Sequence, residues 1–309
     1  MLLFAPSKKS TVVRQRSAPA WMRAGFSLGS WVAPDAVIAR AVALFCTPSR
    51  SARRRAAEAG SASAATTTLD VGGRNIEVYR WGDPAVQPYV LLLHGWSDYA
   101  LRFRPLIDVL REAGFAVVAF DQPGHGRSDG DTSTLPEFAR CVGAVGRHFG
   151  RAAAVIGHSM GGAAAAVALR DGLVADRAIL IAPPADLADA ADRFAQFIGL
   201  APRLRDRFHR ALEARASVRF ESLEAHRNVP AIDRPALIVH DLFDREVPWS
   251  DGERYARYWP GARMMSTAHL GHNRILSDAG VVGALLDFLR GRSVGERVVS
   301  TQALPFGYA

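Results

Sequence analysis

Between residues 66 and 290 the chain alternates short apolar runs with longer segments whose apolar residues recur at helical spacing. Short apolar runs bounded by turn signals predict buried strands, and segments with a period of three to four residues predict amphipathic helices. The runs that predict strands are residues 89–93, 115–120, 153–156, 178–181, 236–239 and, more weakly, 262–266. Strands and helices in alternation indicate a mostly parallel sheet with helices on both faces.

Two further strands are predicted at the start of this region. Residues 66–70 and 75–81 flank Gly72-Gly73, a pair typical of a tight hairpin turn between antiparallel strands. Thr134 and Glu137 form a capping-box pattern at the start of one of the helices. Apolar helical stripes occur at Phe103, Leu106, Ile107 and Leu110, at Phe138, Val142 and Val145, and at Val281, Val282, Leu285, Leu286 and Leu289. We therefore expect an α/β fold with a mostly parallel eight-stranded sheet flanked by helices.

One interval is too long for a single crossover helix. It separates the strand at 178–181 from the strand at 236–239, and it predicts a small helical lid, residues 184–233, inserted after strand 6. We expect most of its apolar residues to pack in the interior and a minority to face a substrate. These residues are Phe194, Phe197, Ile198, Leu200, Leu204, Phe208 and Leu212.

Residues 1–60 differ from the rest and predict a partly helical N-terminal extension to a domain of residues 61–290, with a C-terminal tail at 291–309. One amphipathic helix is predicted between Pro34 and Pro48. Its apolar face is made of Val37, Ile38, Ala41, Val42, Leu44 and Phe45. This face fits either a helix docked on the protein body or a helix lying on a membrane surface, and Arg50 and the run 53–55 keep the second interpretation open.

The net charge of +8 belongs to this extension. Residues 1–60 hold ten Lys and Arg against two acidic residues, whereas the remainder holds 28 of each sign. The distribution gives the body no basic surface of the kind that binds nucleic acid. The apolar stretches at residues 1–6 and 26–46 are too short or too interrupted for a secretory signal or a spanning helix. With only two cysteines, Cys46 and Cys141, we expect a reduced, cytoplasmic location, or a peripheral position at the inner membrane surface.

The strongest chemical motif is Gly157-His158-Ser159-Met160-Gly161, between a predicted strand and an Ala-rich helix. A serine in this context occupies a tight strand-to-helix turn that exposes its hydroxyl as a nucleophile. The flanking glycines are required because side chains there would collide across the turn. The helix start also directs backbone N–H groups toward a developing negative charge.

His94-Gly95-Trp96 follows the strand at 89–93, where a fold of this type places an oxyanion loop. The backbone N–H groups of Trp96 and Met160 are the predicted oxyanion donors. Neither position requires a particular side chain, since the donors belong to the backbone.

Candidates for an acid and a base follow the last two predicted strands, at the edge where sites of such sheets assemble. Asp244 is favoured over Asp241 as the acid because it precedes a Val-Pro turn. His272 is favoured over His269 as the base because Gly271 precedes it on a loop that can reach the serine. The order along the chain is Ser159, Asp244, His272.

With these motifs, residues 66–290 resemble the α/β-hydrolase superfamily, in particular small bacterial esterase-like members with a basic N-terminal extension. The chain order of the three candidate residues is the order of that fold. The segment 121–128 resembles the superfamily's loop after the fourth strand. The resemblance implies that His125 and His158 are framework residues.

The resemblance implies a serine hydrolase that cleaves a carboxylic ester through an acyl-enzyme, with no cofactor and no metal. The apolar lid suggests a small-molecule substrate with an apolar acyl or aryl group. A thioesterase, a carbon–carbon bond hydrolase and a cofactor-free haloperoxidase use the same triad, and a non-catalytic binding protein on a hydrolase scaffold is the alternative from another class. Ser159 argues against dehalogenases and epoxide hydrolases, which would have Asp at this position.

Overall fold

The structure is a computed structural model, and it describes residues 18–61 and 63–298. Four basic residues of the predicted extension, Lys8, Lys9, Arg14 and Arg16, therefore lie outside the described residues, as do residues 299–309 of the predicted tail.

Eight strands form one sheet in the order β1-β2-β4-β3-β5-β6-β7-β8. They are β1 Ala65–Asp70, β2 Asn75–Trp81, β3 Tyr89–Leu93, β4 Ala116–Phe120, β5 Ala154–His158, β6 Ala178–Ile181, β7 Ala236–Asp241 and β8 Arg263–Thr267. Strand β2 is antiparallel to β1 and β4, and all other neighbours are parallel. The predicted α/β-hydrolase fold with a mostly parallel eight-stranded sheet is confirmed.

Strand β3 lies near the centre of the sheet, between β4 and β5. Leu91 of β3 lies opposite Val118 of β4 on one side and Val155 of β5 on the other. Every residue of β3 to β7 is buried, because helices cover both faces of these strands. This explains why the strands are readable as continuous apolar runs.

The α-helices of the described residues surround this sheet. They are α1 Ala20–Val32, α2 Pro34–Phe45, α3 Arg50–Glu58, α4 Arg104–Glu112, α5 Leu135–Phe149, α6 Met160–Arg170, α7 Leu187–Ile198, α8 Arg205–Ala216, α9 Ala225–Asn228, α10 Trp249–Tyr258, α11 Gly271–Arg274 and α12 Ala279–Leu289. Helix α5 begins at the predicted cap, where Thr134 Oγ1 accepts from the N–H of Glu137 and donates to its carboxylate.

Alternate residues of each strand pack into two separate apolar cores, one on each face of the sheet, as the two-residue period of a strand requires. Leu91 and Leu93 of β3 belong to the core under α5 and α6. Val90 and Leu92 belong to the core under α4 and α12. Cys141 is buried in the first core as a free thiol, and burial raises its pKa to about 12.

A third apolar core joins the helices inserted after β6 to the N-terminal extension. Ile38 and Ala41 of α2 pack with Phe208 of α8, and Phe45 makes edge contacts with Phe194 and Phe208. The predicted helix between Pro34 and Pro48 is therefore present as α2, and its apolar face is docked on the protein.

The extension contains two further helices that the apolar pattern did not predict. Helix α1 buries Phe26 and Ser30, and helix α3 buries only Ala52 and Ala56. The buried residues of α3 are both alanines, and most large apolar residues of α1 are exposed, so neither helix has the buried apolar stripe that marks α2. No helix in residues 18–61 or 63–298 combines the length and apolarity needed to cross a bilayer.

Part of the predicted tail pairs with the edge strand β8. The backbone of Glu296 exchanges two 2.7 Å hydrogen bonds with Met264, and the Arg263 side chain donates to the carbonyls of Val294 and Gly295. This contact covers the outer edge of the sheet near β8.

Candidate active site

Ser159 occupies the turn between β5 and α6 with φ +51°, a left-handed conformation that is uncommon for a residue with a side chain. The turn is feasible because of its glycines. A Cβ on Gly157 would lie 2.4 Å from the Gly161 carbonyl oxygen, and a Cβ on Gly161 would lie 2.3 Å from that of Leu93. The predicted collision across the turn is thus present at Gly157, whereas Gly161 is required by the neighbouring strand.

The loop after β3 lies directly against this serine. A Cβ on Gly95 would come within 3.0 Å of the Ser159 Cβ. The N–H of Trp96 has no acceptor among the described residues. Met160 is the first residue of α6, so its N–H has no acceptor within the helix. The structure therefore places both predicted donors beside Ser159.

Two histidines hold this loop in place. His94 Nε2 accepts from the N–H of Gln122, and its Nδ1 lies 2.8 Å from the Gly95 carbonyl oxygen. His125 Nε2 accepts from the N–H of Ser97, and its Nδ1 bonds the Pro123 carbonyl. Burial lowers the pKa of His125 to about 3, so its imidazole is neutral and serves as a framework residue.

Asp244 is held by four donors in a site with no solvent exposure of its side chain. Oδ1 accepts from the N–H groups of Glu246 at 2.8 Å and Val247 at 3.1 Å. Oδ2 lies 2.7 Å from His272 Nδ1 and 3.5 Å from His240 Nε2. Burial alone would raise the pKa of Asp244, but the hydrogen bonds from His240 and His272 outweigh it and hold the pKa well below its usual value.

The other candidate carboxylate, Asp241, forms hydrogen bonds within the loops that follow β7 and β8. Its oxygens accept from the N–H of Phe243, from Thr267 Oγ1 and from the N–H of Leu270. Burial opposes ionisation, yet these bonds keep the pKa of Asp241 below its ordinary value. Asp241 therefore fixes the start of the loop that carries His272, and Asp244 is the carboxylate in contact with the imidazole.

Of the two histidines after β8, only His272 reaches the carboxylate. Its ring lies 4.7 Å from that of His158, whose Nε2 lies 2.9 Å from the His272 carbonyl oxygen. Burial lowers the pKa of His158 to about 3, so the neutral ring donates this bond. His269 has φ +66° and stacks on the Phe243 ring at 4.1 Å. The structure thus brings Asp244 and His272 together and leaves Asp241 and His269 outside the contact.

Ser159, Trp96 and His272 line one cavity of about 440 Å³. The other lining residues are Ser49, Arg55, Gly95, Ser97, Asp98, Arg102, His158, Glu246 and Asn273. None of the inserted residues 184–233 is among them. The named apolar residues of the predicted lid pack instead in the third core with α1 and α2 or against it, except Phe197, which is exposed. They give no support to the expected apolar acyl or aryl substrate.

The extension supplies part of the cavity wall, which sequence reasoning missed. The N–H of Ser49 donates to Ser97 Oγ at 2.9 Å. Arg53 of α3 donates to the carbonyls of Gly124 at 3.1 Å and Ser128 at 2.8 Å, and also to that of Gly130. These contacts link positions more than 45 residues apart, and no local pattern signals them.

Arg55 of the same helix reaches the cavity without forming a salt bridge to a described carboxylate. Its guanidinium donates to Ser51 Oγ at 3.4 Å. Asp98 in the cavity is paired instead with Arg102 at 3.7 Å. In the described parts of the chain no group of three or more His, Cys, Asp or Glu is arranged to hold a metal ion. The cavity therefore combines a serine hydroxyl, an imidazole that contacts a buried carboxylate behind it, the backbone of Trp96 and a polar wall.

Solved structures of similar architecture are hydrolases. A membrane phospholipase A described as a novel bacterial virulence factor has a TM-score of 0.58 and 21% identity, over 88% of this chain and 96% of that one. Est1E from Butyrivibrio proteoclasticus, solved with ferulic acid bound, has a TM-score of 0.58 and 19% identity, over 73% and 98%. Esterase RhEst1 from Rhodococcus sp. ECU1013 has a TM-score of 0.56 and 20% identity, over 75% and 100%. These likenesses show the fold, which is that of the α/β hydrolases.

The family follows from the sequence. The profile of the family described as serine aminopeptidase, S33 (Hydrolase_4) matches residues 84–250, more than half of the chain. The chain therefore belongs to this family and is an α/β-hydrolase enzyme. No curated protein gives a significant match.

Proposed function

We propose that this enzyme cleaves a carboxylic ester of a small molecule by a Ser159-His272-Asp244 triad through an acyl-enzyme. The observation that carries the proposal is the 2.7 Å contact between His272 Nδ1 and a buried Asp244 oxygen, in the same cavity as a serine on a strained turn. A lone serine in a cavity has no base, whereas this arrangement supplies one whose orientation is fixed.

The base acts through its second ring nitrogen. Because Asp244 is ionised at neutral pH, its carboxylate accepts a hydrogen bond from Nδ1–H of His272, and Nε2 is left to accept a proton. As Ser159 Oγ bonds to the ester carbonyl carbon, its proton passes to Nε2. The same proton is then given to the departing alkoxide, which leaves as the alcohol.

The second half of the reaction repeats these steps with water. His272 Nε2 takes a proton from a water molecule as its oxygen attacks the acyl carbon, and the proton returns to Ser159 Oγ as the carboxylic acid is released. In both halves the N–H groups of Trp96 and Met160 receive the negative charge of the carbonyl oxygen. A single such donor contributes about 10²–10³ in rate.

The polar cavity wall favours an ester with a polar or anionic group near the scissile bond. Ser49, Ser97, Asp98, Arg102 and Asn273 contribute most of this wall. Arg55 adds a positive charge that has no salt-bridge partner among the described residues. Arg102 is paired with Asp98, and Glu246 also lines the cavity, so an anionic acyl or alcohol group would meet a favourable charge beside Arg55 and an unfavourable one beside Glu246.

Labelling with a fluorophosphonate tests this proposal. The wild-type enzyme should be modified at Ser159, Ser159→Ala should not be modified, and His272→Ala should be modified far more slowly because its serine lacks a base. Ser277→Ala, which removes an exposed serine elsewhere, is the matched control and should label like wild type. A folded wild-type protein that resists the reagent would indicate a non-catalytic binding protein on a hydrolase scaffold.

The bond cleaved is tested separately with matched substrates. Esters of graded acyl length and charge, compared with thioesters of the same acyl groups, should show higher kcat/KM for the oxygen esters. A preference for the thioesters would leave the triad chemistry in place and reassign the enzyme to the thioesterases.

A further inference from the structure

Helix α1 exposes four large apolar side chains, more than any other helix in the described part of the chain. The exposed fractions are 74% for Trp21, 67% for Leu28, 71% for Trp31 and 77% for Val32. At 3.6 residues per turn, positions 21, 28 and 32 fall on one line along the helix, and position 31 lies beside it. A contiguous exposed apolar surface of this kind marks an interaction site.

The opposite side of α1 is fastened to the inserted helices. Phe26 is buried in the third core, and Arg23 donates to the carbonyls of Gln196 at 2.7 Å and Phe197 at 3.0 Å. Arg203 donates to the Ser30 carbonyl, and its guanidinium lies 4.0 Å from the centre of the Trp31 ring. The helix is therefore held in one orientation, with its apolar line directed away from the protein.

This arrangement distinguishes α1 from α2. Helix α2 carries the amphipathic pattern that the sequence offered for a membrane surface, but its apolar face is buried against α7 and α8. Helix α1 is 13 residues long, too short to span a bilayer but long enough to lie in its interface.

The sequence that contains α1 is basic, and its charge favours one kind of surface. Residues 1–32 contain five basic residues, Lys8, Lys9, Arg14, Arg16 and Arg23, and no Asp or Glu. Tryptophan is enriched at the boundary between lipid chains and headgroups, and basic residues near that boundary are attracted to anionic headgroups. A second copy of the chain would bring the same positive charge to the contact, whereas an anionic bilayer is complementary to it.

We propose that α1 lies on the surface of a bilayer containing anionic lipid, with Trp21, Leu28, Trp31 and Val32 inserted at the level of the headgroups. This membrane contact is independent of the chemistry at Ser159. It positions the third core, in which Phe26 of α1 is buried, close to the lipid surface.

Vesicle binding of the full 309-residue chain tests this contact. Phosphatidylcholine vesicles with and without phosphatidylglycerol are sedimented with wild type and with a face variant, Trp21→Ser/Leu28→Ser/Trp31→Ser/Val32→Ser. The matched control is Val86→Ser/Val174→Ser, which removes exposed apolar residues elsewhere. Turnover of a soluble ester, or far-UV circular dichroism if turnover is absent, checks that each variant is folded.

We expect wild type and the control to bind the anionic vesicles, and the face variant to bind them at least tenfold more weakly because its apolar contact is gone. Replacing Lys8, Lys9, Arg14 and Arg16 with Gln should weaken binding to anionic vesicles by up to about fivefold per residue and leave binding to neutral vesicles unchanged. A blue shift of tryptophan emission on binding should be absent in the face variant.

Other occupants of this face give different results. Equal binding by wild type and the face variant would overturn the proposal. The proposal would also be overturned if the wild type did not bind anionic vesicles but formed a dimer, and the face variant did not form that dimer. Binding that appears only after residues 1–17 are deleted would also overturn it, because the face would then be covered by the chain's own N-terminus.

Discussion

The catalytic body and the N-terminal extension reach the same cavity by different means. The body presents the buried side chains of Asp244 and His272, with the carboxylate held by four donors. The extension presents Ser49 and Arg55 from exposed positions. We infer that the proposed ester cleavage depends on buried, preorganised groups. Substrate binding at the rim of the cavity depends on exposed charges, which solvent screens.

The largest expected effect comes from Asp244→Asn, which keeps the shape of the side chain and removes its charge. His272 would lose its fixed tautomer, and we expect kcat for ester hydrolysis to fall by about 10⁴-fold. Some stability should be lost as well, because a carboxylate whose pKa is held below its usual value stabilises the fold in its ionised form. The comparison variant is Asp241→Asn, which weakens bonds to Thr267 and Leu270. It should mainly lower the midpoint of denaturant unfolding, and a larger loss of kcat in Asp241→Asn than in Asp244→Asn would reverse the two assignments.

Buried histidines of the body make the free energy of unfolding depend on pH. The extension, residues 1–60, contains no histidine and should not contribute to this dependence. The pKa of His125 and of His158 is lowered to about 3, below the value near 6.5 expected in the unfolded chain. The unfolded chain therefore binds more protons between these values, so each histidine stabilises the fold above pH 6.5 and this stabilisation is lost as pH falls toward 3. At pH 5 the loss is at most about 2 kcal/mol per histidine.

Urea unfolding at pH 7 and pH 5 measures this loss. His158→Gln should be less stable than wild type at pH 7 and should lose less stability on acidification. His148→Gln, an exposed histidine, should retain the wild-type dependence. An unchanged dependence in His158→Gln would contradict the proposed burial of a neutral imidazole beside His272.

The smallest expected effect lies at the rim. Arg55→Gln should raise KM for a p-nitrophenyl ester with a terminal carboxylate by up to about fivefold, because an exposed charge pair contributes about 1 kcal/mol or less. KM for an uncharged ester of the same length should not change. Arg54→Gln is the control, since Arg54 lies on the same helix and pairs with Glu58. Equal effects of the two substitutions would remove Arg55 from substrate binding.

The central strands β3 to β7 were predictable because they are buried on both faces and form uninterrupted apolar runs in the sequence. The two missed helices have physical reasons for being missed. Helix α3 buries only Ala52 and Ala56, and α1 buries Phe26 while it exposes four large apolar side chains, so in neither helix do large apolar residues gather on a buried face.

The site was predictable to the extent that its residues follow strand ends. Ser159, Asp244 and His272 were selected by their placement after β5, β7 and β8, and the structure brings Asp244 and His272 into contact. The direction of the inserted apolar residues was not predictable, because helical spacing does not tell which neighbour covers a face. The roles of Ser49 and Arg55 depend on long-range contacts, which the local sequence does not encode.

The most direct measurement of the central claim is the mass of the intact enzyme during turnover. Rapid acid quenching after mixing with an activated ester should trap a protein heavier by one acyl group, with the group located on Ser159 by peptide mapping. Ser159→Ala should show no added mass under the same conditions. A hydrolytically active wild-type enzyme whose acyl group maps to another residue, or an active Ser159→Ala, would contradict the proposed mechanism.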